Sequence, residues 1–326
     1  MKRFMALALT TVFLFAGTAV AAEKKVTLKL ATGTSVPANE ASKKVKELIE
    51  KATDGSIVVT HFPDNMLGDD RVLSEQTIFG DIDIAVTSTS NMATMFPDFY
   101  IFDAPFLFLT PEDAYAALDG DVGQQILKGM EKKGIKGITF WENGFRNFTN
   151  NKVAAKLPAD IKGMKIRTME NEVHLAAWKA FGANPTPMAF TELFTALQQG
   201  TVDGQENPLG LIDVNKFYEV QKYISLTEHV YTPYAVYMNM DKFNSLSKAQ
   251  QETLVNAFTE VTPWQRERSQ AMDKDVLKRI EGKCVVTYPT PEDKKVWQGL
   301  VQDAKVFDIV KKKMDNPKYL DAVLAK

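Results

Sequence analysis

The sequence predicts an α/β fold made of two lobes that resemble each other. Residues 26–31 and 56–62 have the composition of strands, and residues 39–53 between them carry apolar side chains at helical spacing. A strand, a helix and a strand in succession favour a parallel pair with a right-handed crossover, which is the unit of an open sheet flanked by helices. A pattern that occurs twice along the chain indicates the second lobe.

This repeated pattern is a helix that ends at a glycine and is soon followed by an apolar residue, an aspartate and a strand or loop. It occurs at Gly80 with Asp83 and at Gly200 with Asp203, with identical spacing. Glycine suits the left-handed backbone conformation that terminates many helices. Two lobes of similar architecture follow from the repeat.

The first 22 residues have the layout of a cleaved secretory signal. Lys2 and Arg3 give a basic start, an apolar run follows, and small residues precede Glu23. The apolar run is short for a membrane span, which favours a signal over a membrane anchor. We therefore expect cleavage near Ala22 and an exported chain that is not embedded in the membrane.

Charge and cysteine content exclude several classes of function. Without the leader the net charge is about −4, which argues against nucleic acid or an anionic membrane surface as a partner. Cys284 is the only cysteine, so an internal disulfide and a thiolate metal site are excluded. The three histidines, His61, His174 and His229, lack the spacing of metal ligands. Neither a metal nor another cofactor is expected.

Polar side chains follow each copy of the repeat. Thr87, Ser88 and Asn91 come after the first copy, and Glu206 and Asn207 come after the second. Ligands of open α/β sheets bind beyond the carboxyl ends of the strands. These residues are therefore candidates to face each other across a cleft, although the pattern alone is equally consistent with ordinary loop residues.

Two arginines stand where strands of the second lobe are expected to end. Arg146 follows the strand-like ITFW and a glycine, and Arg167 follows MKI. A guanidinium can hold a carboxylate with two parallel hydrogen bonds, and it is costly to bury without a partner. From position alone, a structural ion pair within the lobe and a clamp for an acidic ligand are equally favoured for each arginine.

Longer stretches of the chain resemble one family. The segment GMKIRTMENEVHLAAWKAFGANPTPMAFTELFTALQQGTVDGQENP, together with GFRNFTN, LGDDR and EHVYTP, closely resembles the DctP-like solute-binding proteins of tripartite ATP-independent periplasmic (TRAP) transporters. The resemblance covers nearly the whole mature chain, and the QENP element joined to the Arg-Thr segment is quite specific. It implies a periplasmic, monomeric, two-lobed binding protein with the ligand cleft between the lobes and a long helix that spans both.

The resemblance also implies roles for individual residues. Arg167 matches the arginine that pairs with the substrate carboxylate, Asn207 matches an asparagine beside it, and Arg146 matches a second arginine often found in the site. Phe190 matches an apolar wall, and the first lobe supplies contacts that set selectivity. The corresponding residues there are Ser88 and Asn91. Thr87, Glu206 and Tyr234 are further candidates, although the alternating pattern around Tyr234 favours core or hinge packing over contact with the ligand.

The lobe boundaries are expected where the chain crosses between the lobes. After a signal peptide at residues 1–22, lobe I comprises residues 23–143 plus 233–272, and lobe II comprises residues 144–232 plus 273–326. The partners implied are a small organic acid and the TRAP membrane subunits.

Two other functions remain open from sequence. An exported enzyme acting on a small acid could use carboxylates such as Asp70 or Glu170, but no catalytic motif is present and nothing in their spacing pairs them. A binding protein that serves a sensor would have the same sequence features. The short, uncharged run TSTSN at residues 87–91 favours a hydroxy, keto or sugar acid over a dicarboxylate.

Overall fold

The computed structural model describes residues 25–325, so the expected signal peptide and its cleavage site lie outside the described residues. Strands in this part of the chain form one nine-stranded sheet in the order β2-β1-β3-β8-β4-β7-β5-β6, with β9 paired to β8. The strands are β1 Val26–Thr32, β2 Ile57–Phe62, β3 Ile84–Ser88, β4 Ile135–Asn150, β5 Lys165–Thr168, β6 Asn184–Pro187, β7 Gly204–Pro208, β8 Tyr223–Asn239 and β9 Val285–Thr287.

Helices cover the sheet and connect its strands. The α-helices are α1 Val36–Ala52, α2 Asp70–Phe79, α3 Thr89–Met92, α4 Pro111–Asp119, α5 Asp121–Gly129, α6 Glu172–Ala180, α7 Leu193–Gln198, α8 Leu209–Val214, α9 Met240–Asn244, α10 Lys248–Ile280, α11 Pro291–Asp303, α12 Val306–Lys313 and α13 Lys318–Leu324. Short 3-10 helices lie at Pro97–Asp103, Met130–Lys133, Pro158–Ile161, Phe190–Glu192 and Phe217–Glu219. In the part of the chain that the structure describes, none of the helices has the length and apolar character of a membrane span.

The predicted strand, helix and strand at the start of the mature chain are confirmed. Strands β1 and β2 are parallel, and α1 connects them. Helix α1 begins where the Ser35 hydroxyl accepts a hydrogen bond from the backbone N–H of Ala38, and it buries one apolar face that includes Val45 and Ile49. A polar residue that satisfies a free N–H of the first turn is a common way to start a helix.

The predicted repeat has a structural counterpart in each half of the sheet. Gly80 and Gly200 both have left-handed backbones, with φ of 87° and 70°. Each following aspartate bonds to the backbone of a neighbouring strand: Asp83 accepts from the N–H of Lys29 at 2.7 Å, and Asp203 accepts from the N–H of Lys165 at 2.8 Å. The two copies therefore make the same connection between a helix and the next parallel strand.

Strands β4 and β8 are long and run through both halves of the sheet. They pair antiparallel along most of their length, and the register shifts between Glu142 and Gly144. Gly144 has φ of 115° at this bulge, a conformation that few residues other than glycine adopt. The lobe boundaries expected at 143/144 and 232/233 fall within these two strands and remain a prediction.

The long helix is α10, which has 33 residues. It contacts both halves: Arg268 pairs with Glu40 of α1 at 2.7 Å, and Arg279 pairs with Asp213 of α8 at 2.5 Å. The helix therefore spans the two lobes.

Candidate ligand-binding site

A cleft lies where the carboxyl ends of strands from both halves meet. Parallel strands β1 and β3 lead to it from one side, and β5 and β7 lead to it from the other. This is where ligands bind in open α/β sheets. Its lining residues are Gly33, Thr34, Asn65, Asp69, Asp70, Ser88, Asn91, Asn143, Arg146, Arg167, Met169, Phe190, Asn207, Leu211 and Tyr234.

Arg167 lies at the end of β5 with its side chain only 2 % exposed. Its Nε and Nη2 donate to the backbone oxygen of Met188 at 3.0 and 2.7 Å. Its Nη1 is buried and has no hydrogen-bond partner, and no carboxylate of the described residues forms an ion pair with it. Burial lowers the pKa of Arg167 to about 10; Glu206 opposes this shift and Arg146 adds to it.

Phe190 lies against Arg167 on the same side of the cleft. The centre of its ring is 5.8 Å from the guanidinium carbon, and the ring packs edge-on against Phe217. A guanidinium over an aromatic face is attracted by the ring's quadrupole. The aromatic ring therefore packs against the guanidinium and gives the cleft an apolar wall.

Arg146 forms a buried ion pair with Glu206, the carboxylate in the neighbouring strand β7. Its Nε donates to Glu206 Oε2, and its Nη2 donates to Glu206 Oε1 at 2.9 Å and to Asn207 Oδ1 at 2.9 Å. The structural ion pair, left open by the sequence, is thus present at Arg146, which also lines the cleft.

Glu206 is fully buried beneath the cleft and does not line it. Burial opposes its ionisation, but Arg146, a hydrogen bond from His229 and the charge of His174 hold the pKa of Glu206 well below its usual range. The interpretation of Glu206 as a ligand contact therefore needs correction, because its oxygens face Arg146 and the imidazoles of His174 and His229. The two histidines, which appear scattered in the sequence, meet at this carboxylate. Among the described residues no group of three or more His, Cys, Asp or Glu side chains has a metal-binding arrangement.

Thr87 also lies outside the cleft lining. Its hydroxyl bonds to Tyr237 at 3.0 Å and lies 3.3 Å from the hydroxyl of Ser74, in the interior of the first half. Ser88, the next residue of β3, lines the cleft, because neighbouring residues of a strand point to opposite faces. The Ser88 hydroxyl is buried without a hydrogen-bond partner.

Asp70, the first residue of α2, is a cleft residue that the site prediction missed. Its Oδ2 accepts from the backbone N–H of Ser88 at 3.0 Å and from the amide of Asn91 at 3.4 Å. Burial, with a smaller contribution from the charge of Asp69, raises the pKa of Asp70 to about 6 although the Ser88 N–H opposes this. The LGDDR segment was the sequence signal, since it contributed to the family resemblance. Tyr234 of β8 lines the same side of the cleft.

Residues 30–307 match the model of the family described as bacterial extracellular solute-binding protein, family 7 (DctP). The chain belongs to this family. The chain is similar to the 2,3-diketo-L-gulonate-binding periplasmic protein YiaO of Escherichia coli strain K12, to which it is 40% identical over 242 residues, covering 74% of this chain and 73% of that protein.

Two solved structures of similar proteins have the same fold. The sugar acid binding protein DctPAm of Advenella mimigardefordensis, in complex with galactonate, has a TM-score of 0.88 and 37% identity over 93% of this chain and 97% of its own. A TRAP periplasmic solute-binding protein of Polaromonas sp. JS666, bound to D-erythronate, has a TM-score of 0.87 and 36% identity over 92% of this chain and 99% of its own. The expected two-lobed α/β fold and membership of the TRAP solute-binding proteins are confirmed, and these relatives are binding proteins rather than enzymes.

Proposed function

We propose that this family 7 protein captures a small organic acid anion in the periplasm through Arg167 and delivers it to TRAP membrane subunits. The observation that carries the proposal is the buried guanidinium of Arg167, which lines the cleft with Nη1 unpaired. A buried cation without a counter-ion is costly, and a ligand carboxylate would supply both the charge and the missing acceptor.

We further propose that the ligand carries one carboxylate and several hydroxyl or keto oxygens. Opposite Arg167 the lining contains Ser88, Asn91 and the carboxylate of Asp70. A carboxylate accepts hydrogen bonds from ligand hydroxyls but repels a second carboxylate, so the cleft favours a sugar acid over a dicarboxylate. The relatives named above bind 2,3-diketo-L-gulonate, galactonate and D-erythronate, which supports this class.

Binding is coupled to closure of the cleft in this proposal. Lining residues come from both halves, so a bound acid stabilises the conformation in which the halves enclose it. At the rim, Arg71 of α2 pairs with Glu170, which follows β5, at 2.7 Å. The enclosed form is then the one that the membrane subunits recognise.

A thermal-shift series tests the proposed ligand class. The protein is unfolded and refolded to remove bound acids, then measured with D-erythronate, succinate and erythritol, which all have four carbons. A ligand at about 100 times its Kd adds roughly 2.7 kcal/mol, and this raises the Tm by several degrees at about 2–4 °C per kcal/mol. We expect a shift with D-erythronate and none with erythritol, which lacks the carboxylate. A panel of larger sugar acids, galactonate included, covers the remaining chain lengths; a response to neutral sugars alone would contradict the proposal.

Replacing Asp70 by asparagine is expected to reverse the preference between these acids. The variant loses a charged acceptor, which is worth about 1.5–3 kcal/mol or roughly 10- to 100-fold in affinity for a hydroxylated acid, and it no longer repels the second carboxylate of succinate. Calorimetric titration at pH 7.5 is suitable, because Asp70, with a pKa of about 6, is then ionised in the parent protein.

Asp69→Asn is the matched control for this variant. The neighbouring carboxylate of Asp69 also lines the cleft, but it accepts from the backbone N–H of Val72 and so caps the start of α2. We expect the ratio of affinities for D-erythronate and succinate to change less in Asp69→Asn than in Asp70→Asn. An unchanged ratio in Asp70→Asn would mean that Asp70 does not determine the preference between the two acids.

A further inference from the structure

His174 of α6 is buried between two carboxylates that belong to different parts of the fold. Its Nε2 is 3.0 Å from Oδ1 of Asp103, at the end of the 3-10 helix Pro97–Asp103. Its Nδ1 faces Oε1 of Glu206 in β7 at 3.8 Å. The imidazole does not line the cleft, so its role is not contact with a ligand.

The two contacts define the charge of the ring. An ionised carboxylate has no proton to donate, so a ring nitrogen that is hydrogen-bonded to one must carry its own hydrogen. Nε2 of His174 is within hydrogen-bond distance of Asp103, and Nδ1 lies within ion-pair distance of Glu206, so the carboxylates on both sides of the ring favour the imidazolium. Burial opposes this charge, but the hydrogen bond to Asp103 and the charges of Asp103 and Glu206 outweigh burial and raise the pKa of His174 to about 9.

His229 provides a contrast in the same cluster. Its Nε2 lies 3.1 Å from Oε2 of Glu206, and its Nδ1 lies 2.8 Å from the hydroxyl of Thr227, which can donate to it. A neutral ring satisfies both contacts. Burial, together with the positive charges of Arg146 and His174, lowers the pKa of His229 despite the effect of Glu206.

Each carboxylate that holds His174 is connected to a segment that lines the cleft. Asp103 accepts from the hydroxyl of Ser90 at 2.5 Å, and Ser90 lies between Ser88 and Asn91. Asn171, at the start of α6, donates to Asp103 and to the backbone oxygen of Ser90. On the other side, Glu206 holds Arg146. A continuous buried chain of polar contacts thus joins the two walls of the cleft behind the ligand position.

We propose that His174 is a positioning residue for ligand binding: its imidazolium bridges Asp103 and Glu206 and so fixes the Ser88–Asn91 segment relative to Arg146. The proposal rests on the proposed function, because its effect is on affinity for the acid. The bridge also balances charge, since Arg146 and His174 offset Asp103 and Glu206.

The groups that face His174 define its expected response to pH. They are Asp103 from the 3-10 helix, Glu206 from β7 and His229 from β8, and Glu206 is in turn paired with Arg146 of β4. On its own helix, Glu172 is exposed and pairs with Lys313 of α12. The imidazolium is present at neutral pH and is lost as the pH rises through about 9, so the bridge weakens in alkaline solution.

The first test needs no ligand, because the chain has only three histidines. Protein labelled with ¹⁵N at histidine gives three sets of imidazole signals. The variants His61→Gln and His174→Gln assign them, because each variant lacks one set. We expect at pH 7.5 a doubly protonated ring for His174 and a neutral ring for His229. Asp103→Asn should move the titration of His174 to lower pH. A neutral His174 in the parent protein at pH 7.5 would overturn the proposal.

The second test measures affinity for D-erythronate and galactonate at pH 7.5 and pH 9.5. His174→Gln can replace one hydrogen bond but not the charge, and coupling of this kind is worth roughly 2- to 30-fold in affinity at pH 7.5. The variant should also lose less affinity than the parent between the two pH values. His61→Gln is the matched control, since His61 bonds to Thr32 at 2.9 Å and does not line the cleft.

The outcomes separate the two proposals. The titration of Arg167 is common to all three proteins, so it cancels in the comparison. Unchanged affinity and pH dependence in His174→Gln would overturn the positioning role. If none of the proteins bound any acid, the proposed function would be refuted and with it a role of His174 in ligand binding, whereas the imidazole signals would still report the bridge.

Discussion

Replacing Arg167 by alanine is expected to abolish binding of the acid. Removing one partner of a buried, hydrogen-bonded charge pair costs about 2–5 kcal/mol, which corresponds to roughly 30- to several thousand-fold in Kd. The same substitution should leave the thermal stability of the ligand-free protein unchanged or raise it, because Arg167 has no ion pair among the described residues and its burial is costly. Calorimetric titration with the best ligand of the screen measures the first effect, and thermal unfolding without ligand measures the second.

Arg167→Lys is the matched control for this experiment. Lysine keeps the positive charge but loses the planar fork that can bind a carboxylate through two parallel hydrogen bonds. We expect an affinity between those of the parent protein and the alanine variant. Affinity that survives intact in Arg167→Ala would show that the arginine is structural.

Glu206→Ala is expected to be strongly destabilising. The substitution leaves Arg146 buried without its counter-ion and removes one of the two carboxylates that face His174. Breaking a buried ion pair by removing one partner costs about 3–5 kcal/mol, which lowers the Tm by roughly 6–20 °C at about 2–4 °C per kcal/mol. Glu170→Ala, which removes an exposed ion pair with Arg71, should cost about 0–1 kcal/mol.

Acid should reduce the difference in stability between the parent protein and Glu206→Ala. The pKa of Glu206 lies well below its ordinary value of 4.5, so its contribution to stability is fully present above that value. It is lost progressively as the pH falls through the lowered pKa. Unfolding measured from pH 7 to pH 3 should therefore show a steeper loss for the parent protein than for Glu206→Ala, and parallel curves would contradict the assignment.

Local sequence patterns predicted the elements of the fold well, because they depend on nearby residues. The β1-α1-β2 unit and the left-handed glycines Gly80 and Gly200 were all predicted from spacing alone. Strand faces were harder to predict. Thr87 and Ser88 are adjacent in β3, as are Glu206 and Asn207 in β7, and only one member of each pair lines the cleft. Both faces of these strands are buried, so hydrophobicity did not indicate which member points inward.

The contacts around Glu206 were beyond sequence reasoning for a different reason. Arg146, His174 and His229 reach the same carboxylate from three different elements, β4, α6 and β8. Their positions follow from the packing of the whole domain rather than from spacing in the sequence. Asp70 lies within a motif that contributes to the resemblance, but the sequence indicates only a possible acid or base at this carboxylate.

Strands β4 and β8 and helix α10 pass without interruption from one half of the protein to the other. In the proposed closure, relative movement of the halves has to bend these three elements, which gives an elastic resistance to the movement. The observed affinity for a solute is then its contact energy minus the energy of this deformation. Substitutions at the Gly144 bulge would change that elastic energy, and with it the release of the solute, without altering any contact to the solute.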